Sequence, residues 1–336
     1  MATKSGRTIA HIKQRSVGSV LLRWESILFL IFLAVNIVNY SLSPDKYFNT
    51  SNLLRGLRET LVSGMIVFPM AFILLLGDID LSVGGNVCLS ATVLGLVYNA
   101  SGSIWLGILA AVATGTVCGL INGLLLTRFT ELAPMVVTLA TNILYRGISE
   151  GILGDTATKG MQKVDWFKSL YFGKLGDIYY ILIIFLVLAV IFGLVMHKTV
   201  FGRQMFAVGE NKRAAKYAGI GVEKIRLIVF TLAGFMCGIT AMFYCAKTGS
   251  VMSNAAEGYE LDAICVCVLG GISTAGGKGT LPGAMIAFFT IALLKYGLGL
   301  VNIKGQIINV IIGALLVVVV MIPTVQDLIK KHRIKK

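Results

Sequence analysis

The sequence predicts an all-α, polytopic membrane helix bundle with about ten transmembrane helices. Three observations carry that expectation. Of the 336 residues, 56% are hydrophobic and only 14% are charged, whereas soluble domains hold roughly 25% charged residues. Charge and apolar residues are segregated, so that stretches 104–126, 178–196 and 307–321 contain no Asp, Glu, Lys or Arg. These runs approach the ~20 residues that cross ~30 Å of hydrocarbon, and inside lipid a helix satisfies its own backbone hydrogen bonds.

Taken in order, residues 1–26 carry Lys4, Arg7, Lys13, Arg15 and Arg23 without a small-residue cleavage site. They read as a basic tail entering an uncleaved first span at 27–42. The membrane region then runs over 27–323, with further spans expected at 59–76, 83–99, 104–126, 132–149, 178–196, 225–246, 259–273, 280–300 and 305–323. The separators between the second and third, and between the eighth and ninth, are short and Gly-rich. The fourth span sets Gly107, Ala111, Gly115, Gly119 and Gly123 at every fourth position, and the seventh does the same with Ala233, Cys237, Ala241 and Cys245. Such stripes let a neighbouring backbone approach closely. All six cysteines fall in expected spans without metal or redox spacing, so they read as small packing side chains.

An even number of spans leaves both termini on one side. Most of the 30 Lys and Arg lie in the two tails, at Arg128, at Lys278 and in the 197–224 loop, so both termini are expected to be cytoplasmic. The net charge of +14 then reflects orientation and attraction to anionic lipid. Scattered over tails and loops, it does not describe a nucleic-acid surface. The external loop 150–177 contains "KVDWFKSLYFGKL" (163–175), the pattern of a short interfacial amphipathic helix. It reads as a helix anchored at the interface or, with Arg55, Arg58, Lys159 and Lys163, as a landing surface for an acidic external partner. The chain ends in a basic tail, 324–336.

Two acids interrupt this pattern in "GDIDLSVGG" (77–85). Asp80 and Ser82 fit caps for the third span, whose first amides and dipole favour a negative oxygen. The acids also fit a solute path as acceptors for hydroxyl groups, or a proton- or cation-coupled site. Asn142 in the fifth span reads as an interhelical hydrogen bond or a path residue. Glu260 and Asp262, at the start of the eighth, read as helix-end acids or path residues. Together Asp78, Asp80, Ser82, Asn142, Glu260 and Asp262 are the candidate translocation path or gate.

Catalytic residues, metal ligands and cofactor-binding residues are not expected. His11, His197 and His332 have no metal-ligand spacing or nucleophile partner. A phosphate loop needs Gly-x4-Gly-Lys-Ser/Thr after a strand. The run from Gly271 to Lys278 has an extra Gly before the Lys and Gly279 where the hydroxyl belongs. It reads as a turn ahead of a helix with Pro282 in its first turn.

Four segments, in order, resemble one family. "GENKRAAKYAGI" (209–220) resembles the cytoplasmic coupling segment of ATP-binding-cassette importer permeases of the monosaccharide type, whose members carry ribose, xylose, rhamnose or autoinducer-2. "GDIDLSVGG" is similar to that family's Gly-Gly-Ile-Asp-Leu-Ser-Val-Gly, and "VVTLATNILYRGI" (136–148) to its Val-Thr-Leu-Gly-Thr and Tyr-Arg-Gly, with Ala140 for the family's Gly. "GYELDAICVCVLGGISTAGGKGT" (258–280) is similar to its Glu-Leu-x-Ala-Ile stretch and Gly-rich turn. The resemblance covers about residues 55 to 323. "VFPMAF" (67–72) looks more like the autoinducer-2 and rhamnose members than the ribose ones.

The resemblance implies a permease subunit that forms the path of an ATP-driven importer for a monosaccharide or sugar-like solute in the bacterial plasma (inner) membrane. Its implied partners are an ATPase holding the ATP and Mg, an extracytoplasmic solute-binding protein and a second permease chain, identical or not. Its coupling segment falls on Glu210, Asn211, Ala214, Ala215, Gly219 and Gly221 here. A helix over 210–218 is expected, with its small alanines lying in a groove of the partner. The family shares Asp80 but usually has Gly at position 78, so Asp78 is a departure that suits one half of an unequal pair. The alternative is an ion-coupled secondary transporter, which calls for internal repeats and intramembrane charge pairs.

Overall fold

The computed structural model describes residues 24–314 together with 317 and 321. Both expected basic tails lie outside the described residues, apart from 24–26, and with them the expected placement of the termini.

The chain forms α1 (Trp24–Leu42), a short α2 (Pro44–Tyr47), α3 (Thr50–Gly64), α4 (Val67–Leu75), α5 (Val83–Ser101), α6 (Ile104–Arg128) and α7 (Pro134–Leu153). After α8 (Asp165–Phe172) a two-residue hairpin pairs β1 (Lys174–Leu175) with β2 (Ile178–Tyr179), antiparallel. There follow α9 (Tyr180–Lys198), α10 (Val200–Glu210), α11 (Lys212–Tyr217), α12 (Val222–Thr248), α13 (Tyr259–Leu269), α14 (Leu281–Leu300) and α15 (Gly305–Ala314). The all-α class therefore holds.

Among the described residues, α5, α6, α9, α12 and α14 are each long and apolar enough to cross a membrane, and α3 with α4 passes the same test only as a pair bent by 45° at the break between them. The bend follows from Pro69, which has no N–H for the carbonyl of Met65 and whose ring clashes with it. α7 has spanning length, but Thr138, Asn142, Arg146, Ser149 and Glu150 lower its hydropathy. The expected eighth span at 259–273 is corrected. α13 has 11 residues, about 16 Å at ~1.5 Å per residue, or half a hydrocarbon core. Gly270 and Gly271 (φ 86°) stop it.

α4 is the centre of the bundle. All nine of its residues are buried, and Phe68 and Phe72 pack on Phe185 and Phe192 of α9, with ring centroids 4.9 to 5.4 Å apart. A helix that is apolar all round is one enclosed by protein.

The small-residue stripes do what their spacing implies. A Cβ added at Gly115 or Gly119 would strike the backbone of Gly234 or Phe230, and one at Gly234 or Gly238 would strike α6. α6 and α12 thus touch backbone to backbone. One turn round α12, Cys237 and Cys245 direct their thiols at the Val83 and Ala91 carbonyls of α5. The described cysteines are all free thiols, and only Cys265 is less than buried.

Candidate functional site

The site is built on two interruptions. α4 ends in a glycine stop at Gly77 (φ 72°): Gly77 N–H donates to the Leu74 carbonyl at 2.9 Å and Asp78 N–H to that of Ile73 at 3.2 Å. This is the Schellman pattern that closes a helix. Residues 78–82 then run without helical bonds inside the protein, where every polar group needs an internal partner. Leu81 N–H donates to Thr138 Oγ1 at 3.0 Å. The Ser82 amide and hydroxyl both donate to Asp80 Oδ1, at 2.8 and 2.6 Å. Asn122 Nδ2 donates to Ser82 Oγ at 2.7 Å, and Tyr145 donates to Asn122 Oδ1 at 3.2 Å.

The capping expectation for Asp80 and Ser82 is therefore corrected. Ser82 occupies the cap position of α5 but makes no side-chain cap bond, because its hydroxyl is drawn to Asp80 and Asn122. The cap comes from another helix: Asn142 Oδ1 accepts from Gly85 N–H at 2.8 Å. Asn142 is thus an interhelical hydrogen bond, one of the two roles its sequence allowed.

α7 is polar on its inner face and apolar on its outer one. Thr138, Thr141, Tyr145 and Ser149 are buried, while Val136, Leu139, Ile143 and Ile148 are exposed. Below Asn142, Arg146 donates to the carbonyls of Ala255 and Ala256, both at 3.1 Å. That grip holds the turn before α13, where Ala256 adopts φ 54°. A Cβ at Gly84 would strike Glu260 Oε2 and one at Gly85 would strike Asn142. The paired glycines of "GDIDLSVGG" exist to admit these two side chains. Glu260 Oε2 is buried and has no hydrogen-bond partner among the described residues.

Asp78 faces the other way. It is 1% exposed, and its Oδ1 pairs with Lys212 Nζ at 2.7 Å while its Oδ2 pairs with Arg226 Nε at 2.6 Å. Lys212 and Arg226 were not singled out from sequence. Basic loop residues read as orientation signals, and nothing local links 78 to 212 or 226.

The segment 209–221 differs from expectation in two respects. Glu210 closes α10, and α11 starts only at Lys212, with the Asn211 side chain accepting from Ala214 N–H at 3.0 Å. Gly219 (φ 81°) stops it as expected. Ala215 is 4% exposed, packed within its own chain, while Ala214 is exposed and Tyr217 is 92% exposed. The groove belongs to this chain. Phe206, Glu210, Asn211, Ala214, Ala215 and Ile220 line a hollow of about 370 Å³ between α10 and α11.

The last turn of α10 rests directly on both interruptions. Gly277 N–H, in the turn after α13, donates to the Leu75 carbonyl at 2.8 Å. A Cβ at Gly209 would strike that carbonyl and Gly277, and one at Gly276 would strike Gly77 and Gly209. The ends of α4 and α10 and the 273–279 turn thus meet as bare backbone.

At the opposite end of the bundle α3, α13 and α14 enclose an open cavity of about 650 Å³. Its wall carries two ion pairs, Asp262 with Lys295 at 2.8 Å and Glu59 with Lys247 at 3.0 Å. Thr60, Ser63, Tyr259 and Tyr296 add hydroxyl groups and rings. Asp262 is the one expected path residue that lies here. The others divide between the central break (Asp80, Ser82, Asn142), the contact of Glu260 with α5, and Asp78 beside α11. Arg58 is corrected as a docking residue. It is 7% exposed, with its guanidinium 4.5 to 4.9 Å from the ring centres of Tyr171, Phe172 and Tyr179. Burial raises the Tyr171 phenol well above its usual range, so it stays neutral beneath that cation.

Comparison with known proteins yields a consistent set. Residues 52–320 match the family model described as branched-chain amino acid transport system / permease component. The chain is 32% identical over 304 residues to the autoinducer 2 import system permease protein LsrD of Klebsiella pneumoniae subsp. pneumoniae, covering 89% of this chain and 91% of that one. It is 33% identical over 296 residues to the ribose import permease protein RbsC of Bacillus subtilis, covering 88% and 90%. Yersinia enterocolitica has an autoinducer 2 import permease 29% identical over 303 residues, covering 89% and 91%. No solved structure matches significantly.

Proposed function

The chain belongs to the family of branched-chain amino acid transport system permease components, and from that premise we propose that it is the membrane subunit of an importer for a sugar-like solute, driven by a separate ATPase. The chain is a transport permease of the ATP-binding-cassette class, a multi-pass protein of the inner membrane. The observation that carries the coupling to an ATPase is the mounting of α11. This short, exposed helix with a bare aromatic tip follows directly on α10, whose last turn makes bare-backbone contacts with both interrupted segments. A rigid push there reaches the two places where transmembrane structure is discontinuous, as alternating access requires. Tyr217 is the anchor for the partner, with Ala214 and the α10–α11 hollow receiving a partner side chain.

The open cavity supports the solute class. Its acids are paired with lysines, and Arg55 adds one further cation to its wall. Hydroxyl groups, charge-assisted acceptors and two tyrosine rings suit a neutral polyhydroxyl molecule, and about 650 Å³ admits a monosaccharide with water. The relatives' names, autoinducer 2 import and ribose import, set the first two solutes to try. An extracytoplasmic binding protein would deliver the solute, and a second permease chain would complete the path.

Reconstitution of this chain with its ATPase and binding protein in vesicles is the test. ATP-dependent uptake that needs all three components is expected. Uptake by the chain alone on a proton or sodium gradient would replace this reading with ion-coupled transport.

A further inference from the structure

We propose that Asp78 is the positioning residue that makes the break after α4 follow the movement of α11. The inference rests on the ATP-driven permease reading, and it names the link through which that drive passes. Asp78 follows the glycine stop of α4, and its own amide bonds back to Ile73, so its carboxylate is fixed to the central half-helix. One oxygen holds Lys212, the first residue of α11. The other holds Arg226 in the first turns of α12, and Arg226 also donates to the Leu126 carbonyl near the end of α6, at 2.7 Å. A single carboxylate thus joins α4, α6, α11 and α12.

The neighbouring contacts cannot do this work. Gly77, Gly209, Gly276 and Gly277 meet as smooth backbone with one hydrogen bond, Gly277 to Leu75. Such a surface resists compression but lets its parts slide. Charge-assisted hydrogen bonds at 2.6 and 2.7 Å are directional and resist shear. The carboxylate is 1% exposed, and leaving a buried charge short of a partner is strongly unfavourable. When α11 moves, Lys212 draws Asp78 along, and residues 78–82 move with it. Arg226 needs no such freedom, since Leu126 anchors it. Lys212, whose side chain is 45% exposed, is the mobile arm.

The test reads the link without a solute. In the full complex, Thr60→Cys places a thiol in the open cavity, and its reaction rate with a membrane-impermeant maleimide is compared with and without ATP and vanadate. The unmodified link is expected to give at least a fivefold change in rate. Asp78→Asn and Lys212→Gln should each cut this to less than twofold while the ATPase still co-purifies. Lys212→Arg should restore it, and Asp78→Asn/Lys212→Gln should be no worse than either single change. The inference falls if Lys212→Gln responds like the parent, if the two losses multiply, or if the response disappears only where the ATPase no longer binds. A parent complex that hydrolyses ATP with no change in labelling would overturn the permease reading itself, and this inference with it.

Discussion

Asp80 and Asn142 illustrate how one residue's role depends on which neighbours answer it. Both Ser82 donors converge on Asp80 Oδ1, and an amide oxygen accepts those bonds as a carboxylate does. Asp80→Asn should therefore leave thermal stability in detergent nearly unchanged, whereas Asp80→Ala strands the Ser82 donors and should cost about 1–3 kcal/mol. Asn142→Ala removes the cap of α5 supplied from α7 and should cost about 1–2 kcal/mol. Equal melting points for all three variants would refute this account of the break. In the cavity, Lys295→Met leaves Asp262 without its cation. The wall, which with Arg55 carries three cations against two acids, falls to two of each with Asp262 left unpaired, and half-saturation for uptake should rise about tenfold, with ATP hydrolysis retained. The pattern of apolar and polar residues places Asp80 just ahead of a helix and Asn142 within another, but does not show that Asn142 caps the first. That cap depends on α7 crossing α5 at one height, which spacing within either helix does not set.

At the scale of the element, α11 and the α6–α12 pair make opposite demands on side-chain size. α11 turns Ala215 into its own chain and Tyr217 out. Tyr217→Ala and Ala214→Arg should leave the chain folded but abolish co-purification of the ATPase, with at least a 30-fold weaker association for the first, equivalent to about 2 kcal/mol. Ala215→Arg should instead disrupt the packing of α11 on this chain, which a loss of thermal stability without the ATPase would reveal. The expectation that alanines enter a partner's groove missed this, because an isolated six-residue helix does not reveal which face its parent covers. The glycine stripes were legible, since a four-residue period names one face of a helix whatever lies against it. Gly119→Leu should force α6 off the Phe230 carbonyl region of α12, and overpacking of this kind costs about 1–3 kcal/mol or more. A variant as stable as the parent would show that the helices do not touch there.

For the whole molecule, the two interruptions are what separates this bundle from a set of through-going spans. Their glycine-rich separators were visible in the sequence, as were the short lengths of the apolar runs beside them, yet those runs read as spans. Hydropathy measures how apolar a run is; α4 is apolar all round because protein encloses it, and α13, with 11 residues, is too short to cross alone. Uptake by the full complex should survive collapse of proton and sodium gradients so long as ATP is supplied. Of the two acids in the break, Asp78 is bound to Lys212 and Arg226, which leaves Asp80 and Glu260, with its buried Oε2, as the acids a gradient-driven carrier would have to use.

Composition, segregation of charge and periodic small residues determined that the chain is a helical membrane bundle with a polar segment between its sixth and seventh expected spans, since these are properties of runs and faces that short-range patterning encodes. Only the tertiary structure decided that Asp78 meets a lysine 134 residues away and an arginine 148 residues away, that Asn142 caps another helix, and that α10 and α11 bear on the ends of two half-helices. Those pairings depend on the height and angle at which separate helices cross, and that is fixed by close packing of the whole bundle.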